Sequence, residues 1–124
     1  MRLLLDTQAF LWWMANSSRL TREARAEISD PQNQVLFSIA SAWEISIKRS
    51  LGKLRAPENL AEALASESFD LLGIGLAHIE ALDRLDHHHR DPFDRILIAQ
   101  AGVERVKLVS GDAIFRRYGV DILW

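Results

Sequence analysis

The sequence contains no cysteine. Disulfide cross-links and thiolate metal sites are therefore excluded, and a reducing compartment is compatible with the composition. Long apolar runs are also missing. The N-terminal run ends at Asp6, too early for the apolar region of a signal peptide, and no uncharged stretch reaches the roughly 20 residues of a membrane span. We therefore expect a cytoplasmic protein without a membrane segment.

An excess of basic residues is missing as well. The chain has 15 Lys and Arg against 17 Asp and Glu, a formal net charge of -2. Proteins that bind nucleic acid are usually basic. However, a few carboxylates neutralised together in a metal site would leave a slightly positive remainder. Net charge therefore excludes neither a nucleic-acid partner nor an acidic metal site.

The length and composition are those of one globular domain. The chain has 124 residues, of which 48% are hydrophobic and 26% are charged. This is enough for a single core and too little for two. We expect one domain over residues 1–124.

Apolar strand-like runs alternate with segments of helical period, which is typical of a parallel α/β sheet. The predicted strands are 2–5, 34–37, 69–74, 107–109 and 120–123. The predicted helices are 7–15, 21–29, 39–51, one opened by Pro57, 77–85, one from Asp91-Pro92 to about Ala101, and 112–117. The pattern predicts a three-layer α/β/α sandwich around a mostly parallel sheet of about five strands.

Four acidic residues fall where a predicted strand gives way to a helix. Asp6 and Asp112 each follow a strand, Glu44 lies in the first turns of the helix after the second strand, and Asp94 lies in the first turn of its helix. Ligands of open parallel sheets bind outside the carboxyl ends of the strands. We therefore expect these four side chains to share one edge of the sheet.

Helix capping is the alternative explanation for each acid taken alone. Asp91 before Pro92 has the position of an N-cap, Ser41 and Glu44 have the spacing of a capping box, and Asp112 can cap a short helix. Asp6 is the exception, because an ionised carboxylate that ends a run of three leucines is costly to bury unless it is paired or metal-bound.

Converging carboxylates need a counter-charge, and hard oxygen ligands select Mg²⁺ or Mn²⁺. A metal held by carboxylates alone is typical of phosphate chemistry, in which it activates water and stabilises charge on phosphate oxygens. The residues themselves therefore indicate metal-assisted phosphate chemistry at Asp6, Glu44, Asp94 and Asp112.

Several segments resemble the PIN-domain nucleases, in particular the VapC-type toxins of prokaryotic toxin–antitoxin pairs. In chain order they are Leu3-Leu4-Leu5-Asp6-Thr7, Ser41-Ala42-Trp43-Glu44-Ile45-Ser46-Ile47-Lys48, the stretch from His89 to Ala101, Leu108-Val109-Ser110-Gly111-Asp112, and Tyr118-Gly119-Val120 with Trp124. The resemblance covers the whole chain with order and spacing kept. It implies a PIN fold, Mg²⁺- or Mn²⁺-dependent endoribonuclease activity, and inhibition by a cognate antitoxin.

The resemblance also assigns roles to individual residues. Asp6, Glu44 and Asp94 match the family's metal-binding acids, and Asp112 matches the fourth. Asp91 is interpreted as a helix cap or a supporting group. Thr7 matches the family's small hydroxyl residue after the first acid, where it can orient a carboxylate or a metal-bound water. Three residues depart from the family pattern: Gln8 replaces a frequent histidine, Ser110 replaces a usual threonine, and Asp86 stands where proline is expected.

Basic and histidine residues surround the acidic segments. Lys48 and Arg95 each lie within about one helical turn of a nominated acid and are the best candidates to contact phosphates. The alternative for these side chains is a solvated helix face. We expect residues 87–89, three consecutive histidines, to form a solvated loop near the site entrance, with His89 within reach of substrate rather than bound to a metal.

The first predicted helix is apolar on every side over residues 10–14. Trp12 and Trp13 are adjacent, so we expect one to face the core and the other to face outward. The outward tryptophan is a candidate contact for a homodimer or an antitoxin.

Three functions are compatible with these patterns. The first is a metal-dependent endoribonuclease that acts on single-stranded or loop RNA, whose unstacked backbone can enter a carboxylate cleft. The second is an aspartate-dependent phosphatase, but this usually needs a second Asp two residues after the first, and position 8 is Gln. The third is a non-catalytic α/β interaction module, which would not need Glu44 or Asp94 near Asp6.

Overall fold

A five-stranded sheet forms the centre of the protein in a computed structural model that describes residues 1–124. The strands run in the order β3-β2-β1-β4-β5, and all neighbouring strands are parallel. Their bounds are β1 Arg2–Leu5, β2 Gln34–Ser38, β3 Asp70–Leu72, β4 Lys107–Val109 and β5 Ile122–Leu123. The predicted parallel α/β sheet is confirmed.

Helices cover both faces of this sheet. Because neighbouring residues of a strand point to opposite faces, Leu3 and Leu5 belong to one buried cluster and Leu4 to the other. The helices are α1 Thr7–Met14, α2 Arg22–Ser29, α3 Ile39–Ser50, α4 Leu60–Ser66, α5 Leu76–Asp83 and α6 Pro92–Glu104, with a 3-10 helix at Ala113–Tyr118. The predicted three-layer sandwich is therefore confirmed. None of these helices is both long and apolar enough to span a bilayer.

Two local predictions are wrong because another cap starts the helix. The helix expected to open at Pro57 begins at Leu60, since the Asn59 side chain accepts a hydrogen bond from the Glu62 amide. The capping-box interpretation of Ser41 and Glu44 fails for the same reason. Helix α3 is capped by Ser38, which accepts from the Ala40 amide.

Strand lengths and one helix type also differ from the predictions. Strand β3 covers Asp70–Leu72 rather than 69–74, and β5 covers only Ile122–Leu123. Both are edge strands that pair with one neighbour only. They therefore have fewer inter-strand hydrogen bonds than the inner strands, and their ends are less well held. The short helix after Asp112 is 3-10 rather than α-helical.

The strand order reverses between β1, the central strand of the sheet, and its neighbour β4. A crevice opens at such a switch point, outside the carboxyl ends of the two strands. Asp6 directly follows β1, and Asp112 lies three residues after the end of β4. The topology therefore places both residues at the same crevice.

A buried amide attaches helix α6 to the sheet. Gln100 is fully buried, accepts a hydrogen bond from Ser38 Oγ at 2.7 Å and donates one to the Gly73 carbonyl at 3.2 Å. These bonds join α6 to the ends of β2 and β3. They hold the helix that carries Asp94 in a defined position against the sheet.

Candidate active site

One cleft of about 450 Å³ gathers all four nominated acids at the switch point. Asp91 lines it as a fifth carboxylate, and Thr7 and Lys48 line it too. The acids come from the starts of α1, α6 and the 3-10 helix and from the second turn of α3. The structure therefore brings together residues that lie more than 100 positions apart in the sequence.

Three of the aspartates also cap the helices that they precede. The Oδ1 atom of Asp6 accepts from the Ala9 amide at 2.7 Å, and that of Asp112 accepts from the Ile114 amide at 3.1 Å. Asp91 Oδ1 accepts from the amides of Phe93 and Asp94 at 2.8 and 3.2 Å. Capping and clustering therefore coexist, because each cap uses Oδ1 and leaves Oδ2 without a backbone donor.

Glu44 is buried and both of its oxygens are engaged. Thr7 Oγ1 donates to Oε1 at 2.6 Å, and Lys48 Nζ donates to Oε2 at 2.7 Å. The Thr7 hydroxyl also lies 2.9 Å from Ser41 Oγ. The hydrogen bond between Lys48 and Glu44 raises the pKa of Lys48. The two donors fix the direction of the carboxylate and offset its charge.

Burial and mutual repulsion perturb the protonation of two acids. Desolvation is the main cause that raises the pKa of Asp6 to about 6, and the charges of Asp112 and Glu44 add to it. The pKa of Asp94 is raised to about 7, first by desolvation and then by Asp91 and Glu44. Burial is the first cause of both shifts, and the neighbouring carboxylates add to it.

Ser110 connects the two acids that follow β1 and β4. It is buried, and its Oγ accepts a hydrogen bond from the Asp112 amide at 3.1 Å. A hydrogen bond from the same hydroxyl to Asp6 lowers the pKa of that carboxyl and so opposes the effect of burial. Ser110 thus orients both groups without lining the cleft itself.

His89 is a site residue whose role the sequence understated. Its Nε2 lies 3.0 Å from Asp94 Oδ2 and 3.5 Å from Asp112 Oδ2, while its two histidine neighbours stay nearer the surface. Its Nδ1 accepts a hydrogen bond from the Asp91 amide at 3.2 Å. With Asp94 and Asp112, His89 forms a group whose ligand atoms all lie within 4.8 Å of one another.

Only the position of His89, next to the Asp91 cap, could have indicated this role from the sequence. Nε2 is buried and its contacts lack hydrogen-bond geometry.

Arg95 does not reach the cleft, contrary to the prediction that it contacts phosphates. Its guanidinium donates to the carbonyls of Asp86 and Leu85 at 2.7 and 3.3 Å. It also lies 3.4 Å from the Tyr118 hydroxyl. The reason is the path of the loop after α5, which brings unpaired carbonyls to the side chain. Arg95 thereby holds the loop that carries His89.

Neither tryptophan of α1 faces outward as predicted. Both are half-buried and pack against the core that contains Phe10. The Trp13 indole donates to Glu67 Oε2 at 3.1 Å, and Trp12 lies beside Trp124 with ring centroids 5.7 Å apart. The more exposed tryptophan is Trp43 on α3, which is 62% exposed.

Comparison with known proteins identifies the fold family. A sequence model of the PIN domain matches residues 3–121. The chain belongs to the PIN-domain family. This PIN domain is similar to ribonuclease VapC16 of Mycobacterium tuberculosis, with 56% identity over 36 residues. That match covers 29% of this chain and about a quarter (26%) of the length of the relative.

Solved structures with the same fold cover nearly the whole PIN domain. One is VapBC2 from Rickettsia felis bound to a promoter DNA fragment, with a TM-score of 0.72 and 14% identity. This match covers 98% of this chain and 97% of that chain. DNA-bound VapBC from Salmonella typhimurium matches with a TM-score of 0.68 and 18% identity, covering 98% and 96%. At these identities the likeness establishes the fold.

The donors of this PIN domain suit a hard divalent cation. Asp6, Glu44, Asp94 and Asp112 offer carboxylate oxygens only, and Lys48 is the one ammonium group that lines the cleft. Burial, with the neighbouring carboxylates adding to it, raises the pKa values of Asp6 and Asp94, and a bound cation would favour their ionised forms. Oxygen donors in this number select Mg²⁺ or Mn²⁺ over softer metals.

Proposed function

We propose that this PIN domain, spanning residues 1–124, is a Mg²⁺- or Mn²⁺-dependent endoribonuclease and the toxin of a toxin–antitoxin pair. The observation that carries the proposal is the convergence of five carboxylates in one cleft, two of them with raised pKa values. The ribonuclease name of the Mycobacterium tuberculosis relative and the VapBC complexes among the similar structures support it. We place its action in the cytoplasm, where RNA and antitoxin are made.

Asp6, Glu44, Asp94 and Asp112 would hold the metal. When bound, the metal lowers the pKa of water and stabilises negative charge on phosphate oxygens. Glu44 is oriented by hydrogen bonds from Thr7 and Lys48. Asp6 is oriented by the Ala9 amide and Ser110, and Asp112 by the Ile114 amide.

The reaction is the hydrolysis of a phosphodiester bond. A water oxygen forms a bond to phosphorus as the bond from phosphorus to the leaving oxygen breaks, and a proton passes to that oxygen. Lys48 is well placed to contact the phosphate, because its side chain is 44% exposed while it also binds Glu44. The cleft lies open at the sheet edge, so single-stranded RNA, whose backbone is not enclosed in a duplex, is the substrate that we propose.

The acid cluster favours this enzyme over the two alternatives. An aspartate-dependent phosphatase would need an acid two residues after Asp6, but Gln8 lines the cleft there. A non-catalytic interaction module gives no reason for Glu44 and Asp94 to meet Asp6 at a site where their charges repel.

The decisive experiment measures cleavage of a labelled single-stranded RNA with Mg²⁺, with Mn²⁺ and with EDTA. We expect cleavage by the wild type only with metal and at least a 100-fold loss in Asp6→Asn, since it removes a charge from the metal cluster. Asp83→Asn, at an exposed aspartate on α5 outside the cleft, is the matched control. Cleavage in EDTA, or full activity of Asp6→Asn, would overturn the mechanism.

We propose an antitoxin and a second copy of the chain as protein partners. Four apolar residues spaced four apart leave an exposed stripe along α3 and its C-terminal end: Ile39, Trp43, Ile47 and Leu51. A stripe of this kind can pack against its own copy around a two-fold axis. The flanking cations favour this, since Lys48 is paired with Glu44 and Arg49 donates to the Pro57 carbonyl.

Light scattering tests the dimer. We expect a dimeric mass for the wild type and a monomeric mass for Trp43→Glu, with Glu80→Gln on α5 as a surface control. A dimeric Trp43→Glu protein would exclude this face. Loss of antitoxin copurification with the dimer intact would assign the face to the antitoxin instead.

A further inference from the structure

Two tryptophans form an aromatic wall in the same cleft as the acids. The tryptophan wall consists of Trp12 from α1 and Trp124, which follows β5, with ring centroids 5.7 Å apart and planes inclined by 41°. Both residues line the cleft together with Asp6, Glu44 and Asp112. The cleft therefore joins a strongly anionic floor to an aromatic side.

Local structure places Trp12 at a defined distance from the acids. Asp6 caps α1, and Gln8, Leu11 and Trp12 lie on the face of that helix that lines the cleft. Trp12 lies six positions after Asp6, which corresponds to about 9 Å along the helix axis. This is comparable with the span between a phosphate and a neighbouring base of the same strand.

Gly111 places Trp124 beside Asp112. A Cβ atom on Gly111 would lie 2.7 Å from Cε2 and 2.8 Å from Cζ2 of the Trp124 indole. Any other residue would push the ring away, so the absent side chain lets the indole lie directly on the backbone next to the acid. Trp124 thus packs against the chain on one side and borders the cleft on the other.

We propose that the tryptophan wall stacks a base of single-stranded RNA next to the phosphate held at the acid cluster. This rests on the function proposed above and adds a subsite to it. Aromatic side chains stack unpaired bases of any sequence, whereas bases within a duplex are already stacked on one another. The wall therefore selects unpaired RNA over duplex RNA and over a bare sugar–phosphate chain.

Anisotropy of a labelled RNA measures this subsite separately from cleavage. Asp6→Asn serves as the parent, because it should bind RNA without cutting it in Mg²⁺. The probes are a single-stranded oligonucleotide, an abasic oligonucleotide with the same phosphates, and a duplex. We expect the parent to prefer the first probe. Adding Trp124→Leu should weaken binding of that probe about 5- to 100-fold and leave the abasic probe unaffected.

Matched variants separate stacking from folding. Trp124→Phe should restore most of the preference, and Leu76→Ala, at an exposed leucine on α5 outside the cleft, should not alter it. If Trp124→Leu loses its cooperative thermal transition, Trp12→Leu is measured in its place.

The stacking proposal is overturned if the parent and the leucine variant bind the base-containing probe with equal affinity. It is also overturned if the leucine variant loses the same affinity for the base-containing and the abasic probe. A leucine variant that loses antitoxin binding while it keeps the base preference would make the wall a protein contact and overturn the proposal. If the wild type does not cleave but the base preference persists, the nuclease proposal fails and the stacking subsite stands.

Discussion

At the scale of single residues, the candidate active site depends on side chains that each have two contacts. Glu44 is bound by Thr7 on one oxygen and by Lys48 on the other. Ser110 contacts Asp6 and the Asp112 amide. These neutral and cationic donors keep buried carboxylates oriented before any metal arrives, so the site is preorganised.

Removing the ammonium group beside Glu44 has opposite effects on the free and metal-bound protein. In Lys48→Met, a buried carboxylate loses its counter-charge, and we expect the free energy of unfolding in EDTA to fall by about 1–2 kcal/mol, since Lys48 is partly exposed. The stabilisation by Mg²⁺ should increase, because a competing cation is gone. Thermal melts with and without Mg²⁺ measure both effects, and Lys53→Met is the control. A smaller Mg²⁺ response in the variant would contradict this account.

Gly111 is expected to control the position of Trp124. Gly111→Ala places a Cβ within 2.8 Å of two indole carbons, so the ring must shift toward solvent. Base-containing RNA should then bind several-fold more weakly than it does to the parent, and the tryptophan emission should move to longer wavelength. Gly102→Ala is the control, since a Cβ there meets no atom within 4 Å. Equal spectra for the two variants would refute the contact.

At the scale of elements, helix starts bring the acids together. Helices α1 and α6 and the 3-10 helix each begin with an aspartate cap at the crevice. Each cap satisfies free amides of the first turn and fixes the carboxylate relative to the helix. The same residues are therefore required for local structure and available for chemistry.

At Asp91, the N-cap of α6, two substitutions separate the capping role from the electrostatic role. Asn caps a helix as well as Asp does, whereas Ala removes the bond and costs about 1 kcal/mol. We expect Asp91→Asn to keep its stability and Asp91→Ala to lose about that amount in urea unfolding. Because the charge of Asp91 raises the pKa of Asp94, the Asn variant should also titrate Asp94 at lower pH. An unchanged Asp94 titration by NMR would contradict the electrostatic coupling.

At the scale of the whole molecule, the cleft makes stability depend on pH. Burial raises the pKa of Asp94 in the folded protein from its ordinary value of 3.8 to about 7, so the folded state binds the proton more strongly. This contribution to stability is fully present below pH 4 and is lost as the pH rises through 7. Divalent metal should restore stability at high pH, because it binds the ionised form.

Asp94→Asn isolates this effect from the other carboxylates. In EDTA, the free energy of unfolding of the wild type should fall between pH 5 and pH 8 by about 2 kcal/mol more than that of the variant. Urea titrations at the two pH values measure the difference, with Asp83→Asn as the control. A pH-independent difference between wild type and Asp94→Asn would show that the carboxyl titrates normally.

The sequence by itself determined the sheet, the positions of most helices and the acids at the strand ends, because apolar periodicity and capping are local properties. Glu44 and Asp94 could be assigned to the crevice for the same reason. The direction of Arg95, the contact of His89 with Asp94 and Asp112, and the packing of Trp12 on Trp124 were decided by tertiary structure. These contacts depend on loop paths and on residues as much as 112 positions apart, which no local pattern specifies.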